Sequence, residues 1–290
     1  MVAGSSDLLW FDAGRETPVR VALDGTRITS LALVGEERKV ALCVTAFGRL
    51  ARRSRSASDS ERLLDWKRAA EAGGASVESL ELRQLGDASP RSVLGRLTSG
   101  HLIRSDDQGA TWRRQSEDFT AFSLSPCGEP LAALSRSGTL LSTSHDGGLT
   151  FRERELTAPA LGVASGDAPS VAAHGRTLAI CDSERGVVVS ADEGATFRAV
   201  PGCTNATTVT AGVVDGVESV WVALYREADD ASDLVLIDPA TAQAKIVATL
   251  SSRERDPDQI PESGRVERLV WDGTRLWAAG GFGVAICRPS

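Results

Sequence analysis

The residues of this chain whose types could do chemistry are its three histidines, its five cysteines and one run of arginines, and none stands at a spacing that completes a reaction centre. A bound transition metal needs several His, Cys or carboxylate ligands converging on one point, which short sequence spacings usually announce. His101, His145 and His174 have no such companion on their own predicted strands, so no metal ligand and no cofactor is assigned. Cys43, Cys127, Cys181, Cys203 and Cys287 are odd in number and contain no C-x-x-C pair, which reads as reduced thiols filling the core of a cytoplasmic protein. Phosphate-cradling loops, a dinucleotide fingerprint and a G-x-S-x-G elbow are absent, and the run Ala279-Gly-Gly-Phe-Gly283 reads as a hairpin turn. Arg49, Arg52, Arg53 and Arg55 form one basic cluster, with Arg52 on the opposite strand face from the other three. Guanidinium forks match carboxylates and phosphates, so the cluster is a candidate contact for an acidic protein or RNA, beside the plainer reading of a solvated edge.

A different signal organises the chain. Ser105-Asp-Asp-Gln-Gly-Ala-Thr-Trp112, Ser144-His-Asp-Gly-Gly-Leu-Thr-Phe151 and Ser190-Ala-Asp-Glu-Gly-Ala-Thr-Phe197 align without gaps as S-x-D-x-G-x-T-aromatic, recurring after 39 and 46 residues. That period fits one four-stranded propeller blade. The chemistry is that of a hairpin. The carboxylates of Asp107, Asp146 and Asp192 are expected to accept backbone N–H groups two residues on, and Gly109, Gly148 and Gly194 supply a positive φ. The hydroxyls of Ser105, Ser144 and Ser190, with those of Thr111, Thr150 and Thr196, tie the strand ends to the carboxylate, while Trp112, Phe151 and Phe197 open the next strand as apolar plugs. Short β-rich runs precede each copy and mostly polar runs follow it.

These octapeptides resemble the Asp-box, or bacterial neuraminidase repeat, of β-propellers such as sialidases, sortilin-type receptors and photosystem II assembly factors. The resemblance implies a structural role for the three boxes, at the hairpin between the third and fourth strands of each blade and away from any ligand funnel. It also raises sialidase chemistry, which in that family uses an arginine triad, a Tyr nucleophile paired with Glu and an Asp acid/base. The chain has no R-I-P motif, its nearest analogue being Val19-Arg20-Val21. Its sole tyrosine, Tyr225, lies two residues before Glu227 in a polar stretch that reads as a loop after a strand, the plainer reading of the residue being a half-buried Tyr at a strand end with a wet hydroxyl.

Weaker echoes extend the repeat: 40–54 overlays 130–144, 219–247 holds further strand pairs, and 269–287 gives three strands without an outer one. Strand-like segments at 8–13 and 18–23 can supply it, closing the ring and hiding both sheet edges. Third-strand starts near residues 48, 100, 138, 186, 234 and 283 fit six blades, or seven if the N-terminal hairpin counts as two blade strands. Residues 54–75 read either as a short capped helix or as a decayed Asp-box with an insertion, through Asp59 and Trp66, and 251–264 as an exposed charged loop.

The expectation is an all-β chain, a single β-propeller of four-stranded antiparallel blades over 1–290, with Asp-box blades at about 95–200. Thirty-two basic against 39 acidic residues give a net charge of −7, which provides no global attraction for nucleic acid or an anionic membrane. The N-terminus carries no secretory pattern and no apolar run is long enough to span a bilayer. Arginine far outnumbers lysine, which points to a GC-rich bacterial genome. The function expected is a non-catalytic docking subunit for a protein partner in a cytoplasmic assembly, using the loops 54–75, 225–233 and 251–264; a glycan-binding or sialidase-like propeller is the alternative.

Overall fold

The computed structural model describes residues 92–97, 99–109, 111–115, 123–125, 130–135, 138–156, 169–251 and 263–287, together with strand segments before residue 92. Alternating apolar runs separated by Gly, Asp and Asn become short strands, which pair into seven antiparallel sheets among the described residues. The chain divides into two compact units, Met1–Ala121 and Phe122–Ser290. In the first, β1 (Val2–Ala3), β2 (Asp7–Trp10) and β3 (Val19–Ala22) form a three-stranded sheet. Next come β4 (Ile28–Val34), β5 (Val40–Thr45), β6 (Leu50–Ser54) and β7 (Arg62–Leu64), then β8 (Leu80–Gln84), β9 (Val93–Leu97), β10 (Leu102–Ser105) and β11 (Arg113–Arg114), two four-stranded sheets in chain order.

The second unit repeats the plan. Its four-stranded sheets are β12 (Ser123–Leu124), β13 (Leu131–Leu134), β14 (Leu140–Ser144) and β15 (Arg152–Glu155); β16 (Ser170–His174), β17 (Thr177–Asp182), β18 (Gly186–Ser190) and β19 (Arg198–Ala199); and β20 (Ala206–Val214), β21 (Val217–Arg226), β22 (Ala231–Asp238) and β23 (Gln243–Ser251). A three-stranded sheet of β24 (Val266–Trp271), β25 (Leu276–Gly280) and β26 (Gly283–Cys287) follows, with Gly283 at φ 97° in the expected glycine turn. The helical element among the described residues is one 3-10 turn, Glu227–Asp229, and no helix there is long and apolar enough to cross a membrane.

Leu63 and Leu64 fall in β7, paired with Ala51 and Leu50, so these two residues of the expected capped helix are in a strand. A helix of one or two turns is marginal by itself, whereas the open side of β6 offers backbone partners. Asp59 and Trp66 lie outside the described residues, as does most of 251–264.

Within the second unit each sheet buries apolar side chains against the next. Leu134, Leu141, Leu178 and Ile180 fill the first such layer, Cys181, Val189, Val209 and Val222 the second, and Trp221, Leu234, Leu269, Trp271 and Leu276 the third. Polar clamps fix the spacing. Glu218, beyond the β20–β21 turn, accepts from the Arg176 backbone N–H and the Thr177 hydroxyl, while Thr207 Oγ1 donates to the Val266 carbonyl. Cys181 and Cys203 are free and buried among these apolar residues, and burial pushes the Cys181 thiol up to about 12, so it packs as a neutral group.

Candidate docking corner

The three octapeptides adopt one geometry. Each lies between the third and fourth strands of its sheet: β10 and β11, β14 and β15, β18 and β19. The serine hydroxyl donates to the Asp carboxylate at 2.7 Å in all three and accepts the glycine N–H at 2.8 Å, as Ser105 does with Asp107 and Gly109. The carboxylate spans four residues, taking the Thr111, Thr150 or Thr196 N–H at 2.8–2.9 Å and the same threonine's hydroxyl at 2.6–2.7 Å. The expected acceptance two residues on is thus corrected: that N–H, of Gly109, Gly148 or Gly194, goes to the serine hydroxyl instead. The reason is that two consecutive residues take positive φ, Gln108 and Gly109, Gly147 and Gly148, Glu193 and Gly194, which swings the carboxylate across to the threonine. Trp112 is buried with its Nε1 donating to the Gly109 carbonyl, and Phe197 packs on the core.

Burial pushes the Asp192 carboxyl up, but the Thr196 hydroxyl and N–H and the Ser190 hydroxyl outweigh it and hold the group at about 2. Because the folded value lies below the ordinary 3.8, this carboxylate adds stability above about pH 4 and loses it as pH falls toward 2. Asp192→Asn is expected to cost about 1–2 kcal/mol at neutral pH, for a half-exposed carboxylate. Guanidinium titrations should show the gap from wild type narrowing between pH 4 and 2; a gap unchanged with pH would contradict the assignment.

At the other end of the β20–β23 sheet the chain builds a polar corner. β21 finishes there while β20 and β22 begin, because neighbouring strands run antiparallel, and residues 263–265 lead into β24 beside them. The 3-10 turn places Asp230 in the left-handed region, φ 44° and ψ 54°. One oxygen, Asp230 Oδ1, accepts the Tyr225 hydroxyl at 2.8 Å, the Ser263 hydroxyl at 2.9 Å and the Gly264 N–H at 3.0 Å. The Arg265 guanidinium lies 5.9 Å from the centre of the Tyr225 ring. Arg226 forks onto both Asp229 oxygens, at 3.2 and 2.8 Å, and reaches Asp233 Oδ2 at 3.0 Å, while Thr249 Oγ1 donates to Asp233 Oδ1. The Tyr225 N–H donates to the Asn205 carbonyl, bringing in a third segment.

The expected loop 225–233 is in fact the end of β21, the 3-10 turn and the start of β22, and Asp230 joins it to the described end of the expected loop 251–264. The third expected loop, 54–75, lies outside the described residues apart from β7 and the end of β6. Tyr225 closes β21, as expected, but its hydroxyl is held by Asp230 and not by Glu227; that bond, with the negative charge of Asp230, pushes the phenol up, away from the phenolate a nucleophile requires. Arg52 and Arg53 stand in β6 opposite Leu42 and Ala41, and Arg49 and Arg55 lie outside the described residues. His101 Nδ1 lies 2.9 Å from Ser99 Oγ, His145 is in the second octapeptide and His174 ends β16. Sequence reading missed Asp230, Ser263 and Arg265, because contacts more than 30 positions apart leave no spacing signature.

No family model matches the chain, and no curated protein does. Solved structures do. A structure of YCF48 bound to a D1 peptide superposes with a TM-score of 0.61 at 13% identity, covering 100% of this chain and 87% of that one. BBS1N in complex with ARL6DN gives 0.59 at 13%, covering 100% and 86%. The GH74 enzyme of Niastella koreensis gives 0.56 at 12%, covering 99% of this chain and 44% of that one. The fold is all-β, a set of antiparallel sheets matching β-propeller structures.

Proposed function

We propose that the chain is a single β-propeller that serves as a non-catalytic docking subunit, holding a protein partner in a bacterial cytoplasmic assembly through the Tyr225–Asp230–Arg265 corner. The observation that carries this reading is the Asp230 carboxylate, which locks two separate loops into one partly exposed surface of arginine, tyrosine and acidic side chains on a rigid sheet. Likeness to structures solved with a bound peptide or protein supports the class of ligand. In this reading the octapeptides are Asp-boxes, structural hairpins between the third and fourth strands of their own sheets.

The five four-stranded sheets and β24–β26 count as six blades. In this reading an N-terminal strand completes the sixth blade and closes the ring, and β1–β3 as a blade of its own gives the seven-bladed alternative.

The test is purification of the tagged protein from its native host at mild salt, with mass spectrometry, for wild type and Arg265→Glu. A stoichiometric protein partner is expected, with its recovery reduced about tenfold by the charge reversal, equivalent to about 1.4 kcal/mol, and with unchanged melting. Recovery alone, with binding on a glycan array or glycosidase activity, would instead establish the glycan-directed alternative.

A further inference from the structure

Each octapeptide is followed directly by an arginine, at Arg113, Arg152 and Arg198. Two of the three are engaged: Arg113 pairs with Asp106 at 2.7 Å, and Arg198 donates to the Ala240 carbonyl. Arg152 instead opens β15, a strand that reads Arg152-Glu-Arg-Glu155 with all four side chains exposed. Among the described residues none of the four takes part in an ion pair or a side-chain hydrogen bond. β15 is the outermost strand of its sheet, and no described strand pairs with its outer side. Its register on β14 sorts the charges by face: Arg152 and Arg154 lie opposite Thr143 and Leu141, Glu153 and Glu155 opposite Ser142 and Leu140. The edge therefore presents unpaired backbone groups between a cationic face and an anionic one.

We propose that β15 docks an extended segment of a partner protein in which acidic and basic residues alternate, added antiparallel as a fifth strand. Charge selects the occupant. Acidic residues opposite Arg152 and Arg154, with basic ones opposite Glu153 and Glu155, make four cross-strand pairs of opposite sign, whereas the same charges in another order oppose like to like. The same geometry turns away a second copy of the chain. Two copies joined edge to edge by a twofold keep the same face up, so residues of one face stand opposite each other: Arg meets Arg and Glu meets Glu. An uncharged strand is turned away as well, because it would strip water from these side chains and give nothing in return. The pattern therefore rejects wrong strands and admits its complement. β15 and the Tyr225–Asp230–Arg265 corner lie on different sheets, so this surface stands independently of the corner.

The probe is a fluorescein-labelled peptide with the core Lys-Asp-Lys-Asp flanked by threonines, and its control has the same composition in the order Asp-Lys-Lys-Asp. Fluorescence anisotropy of the full chain at low salt should give wild type a preference of about tenfold for the alternating peptide, since the control turns two of the four pairs into like-charge contacts. The preference should fade as salt rises, and hydrogen exchange at 152–155 should slow in the complex. Arg154→Glu combined with Glu155→Arg keeps composition and net charge but reorders the edge; it should reverse the preference with an unchanged circular dichroism spectrum. Equal binding of both peptides by wild type, or none, would overturn the proposal and leave β15 as a guard against strand pairing. A preference that persists in the double variant, or one without protection of 152–155, would overturn it by placing the contact elsewhere. Dimerisation of wild type alone with protection of 152–155 would overturn it by giving the edge to a second copy.

Discussion

Replacing Trp271 by alanine is expected to lower the stability of the Phe122–Ser290 unit by about 3–5 kcal/mol, the range for deleting a buried tryptophan. Trp271 is 8% exposed and stacks on Trp221, with ring centroids 5.9 Å apart and planes at 26°. Its Nε1 donates to the Val213 carbonyl at 3.1 Å, so one side chain links β24 to β20 by both packing and a hydrogen bond. The sequence makes room for it: a Cβ on Gly212 would lie 2.1 Å from Trp271 Cδ1. Alanine would therefore open a cavity and remove the hydrogen bond to the Val213 carbonyl. Gly212→Ala is the reciprocal case, an overpacking expected to cost about 1–3 kcal/mol. Denaturant titration followed by circular dichroism reads both; a Trp271→Ala loss under about 1 kcal/mol would show that the indole does not hold these sheets together.

Gly186→Ala is expected to be nearly as damaging, about 3 kcal/mol, for a different reason. Gly186 opens β18 at φ 87°, where an L side chain costs about 1–2 kcal/mol. A Cβ there would also stand 2.4 Å from the Cys203 carbonyl oxygen, a backbone atom that cannot swing aside. The residues after Cys203 feed the docking corner: the Asn205 N–H donates to the Ser183 carbonyl, and the Asn205 carbonyl accepts from Tyr225. The substitution should therefore weaken partner binding as well as stability. Gly202 is the control, with φ 76° but nothing within 4 Å of the point a Cβ would take, so Gly202→Ala should cost only about 1 kcal/mol. Equal losses for the two variants, measured by thermal and denaturant unfolding, would mean that the contact with Cys203 has no part in the cost.

The repeat made much of the fold legible. An octapeptide whose serine, aspartate, glycine and threonine bond one another is a local device, so the hairpin follows from residues within eight places of each other, while its place between a third and a fourth strand is what the family resemblance implied. The strand pairs within 219–247 and 269–287 were legible through alternation and turn residues, whereas β20 was not read as a strand. Residues 54–75 misled in part, since Leu63, Leu64 and the capping pattern satisfy a helix locally while the edge of β6 takes the same residues as a strand. Of the corner, the sequence disclosed the loops but not their junction. Asp230 is one acid among several in Glu227-Ala-Asp-Asp, and its selection by Ser263 and Gly264 arises from the way β22 and β24 start side by side. Arg226 and Arg265 were equally hidden: their roles depend on which strand end they reach, while the eye is drawn to the denser cluster at Arg49–Arg55.

The measurement that bears most directly on the docking account is hydrogen exchange of the protein alone and in the complex recovered from its host. The account expects slowed exchange at 225–233 and 263–265, with the octapeptides at 105–112, 144–151 and 190–197 unchanged. Absence of a stoichiometric complex, or protection confined to the octapeptide hairpins, would contradict it.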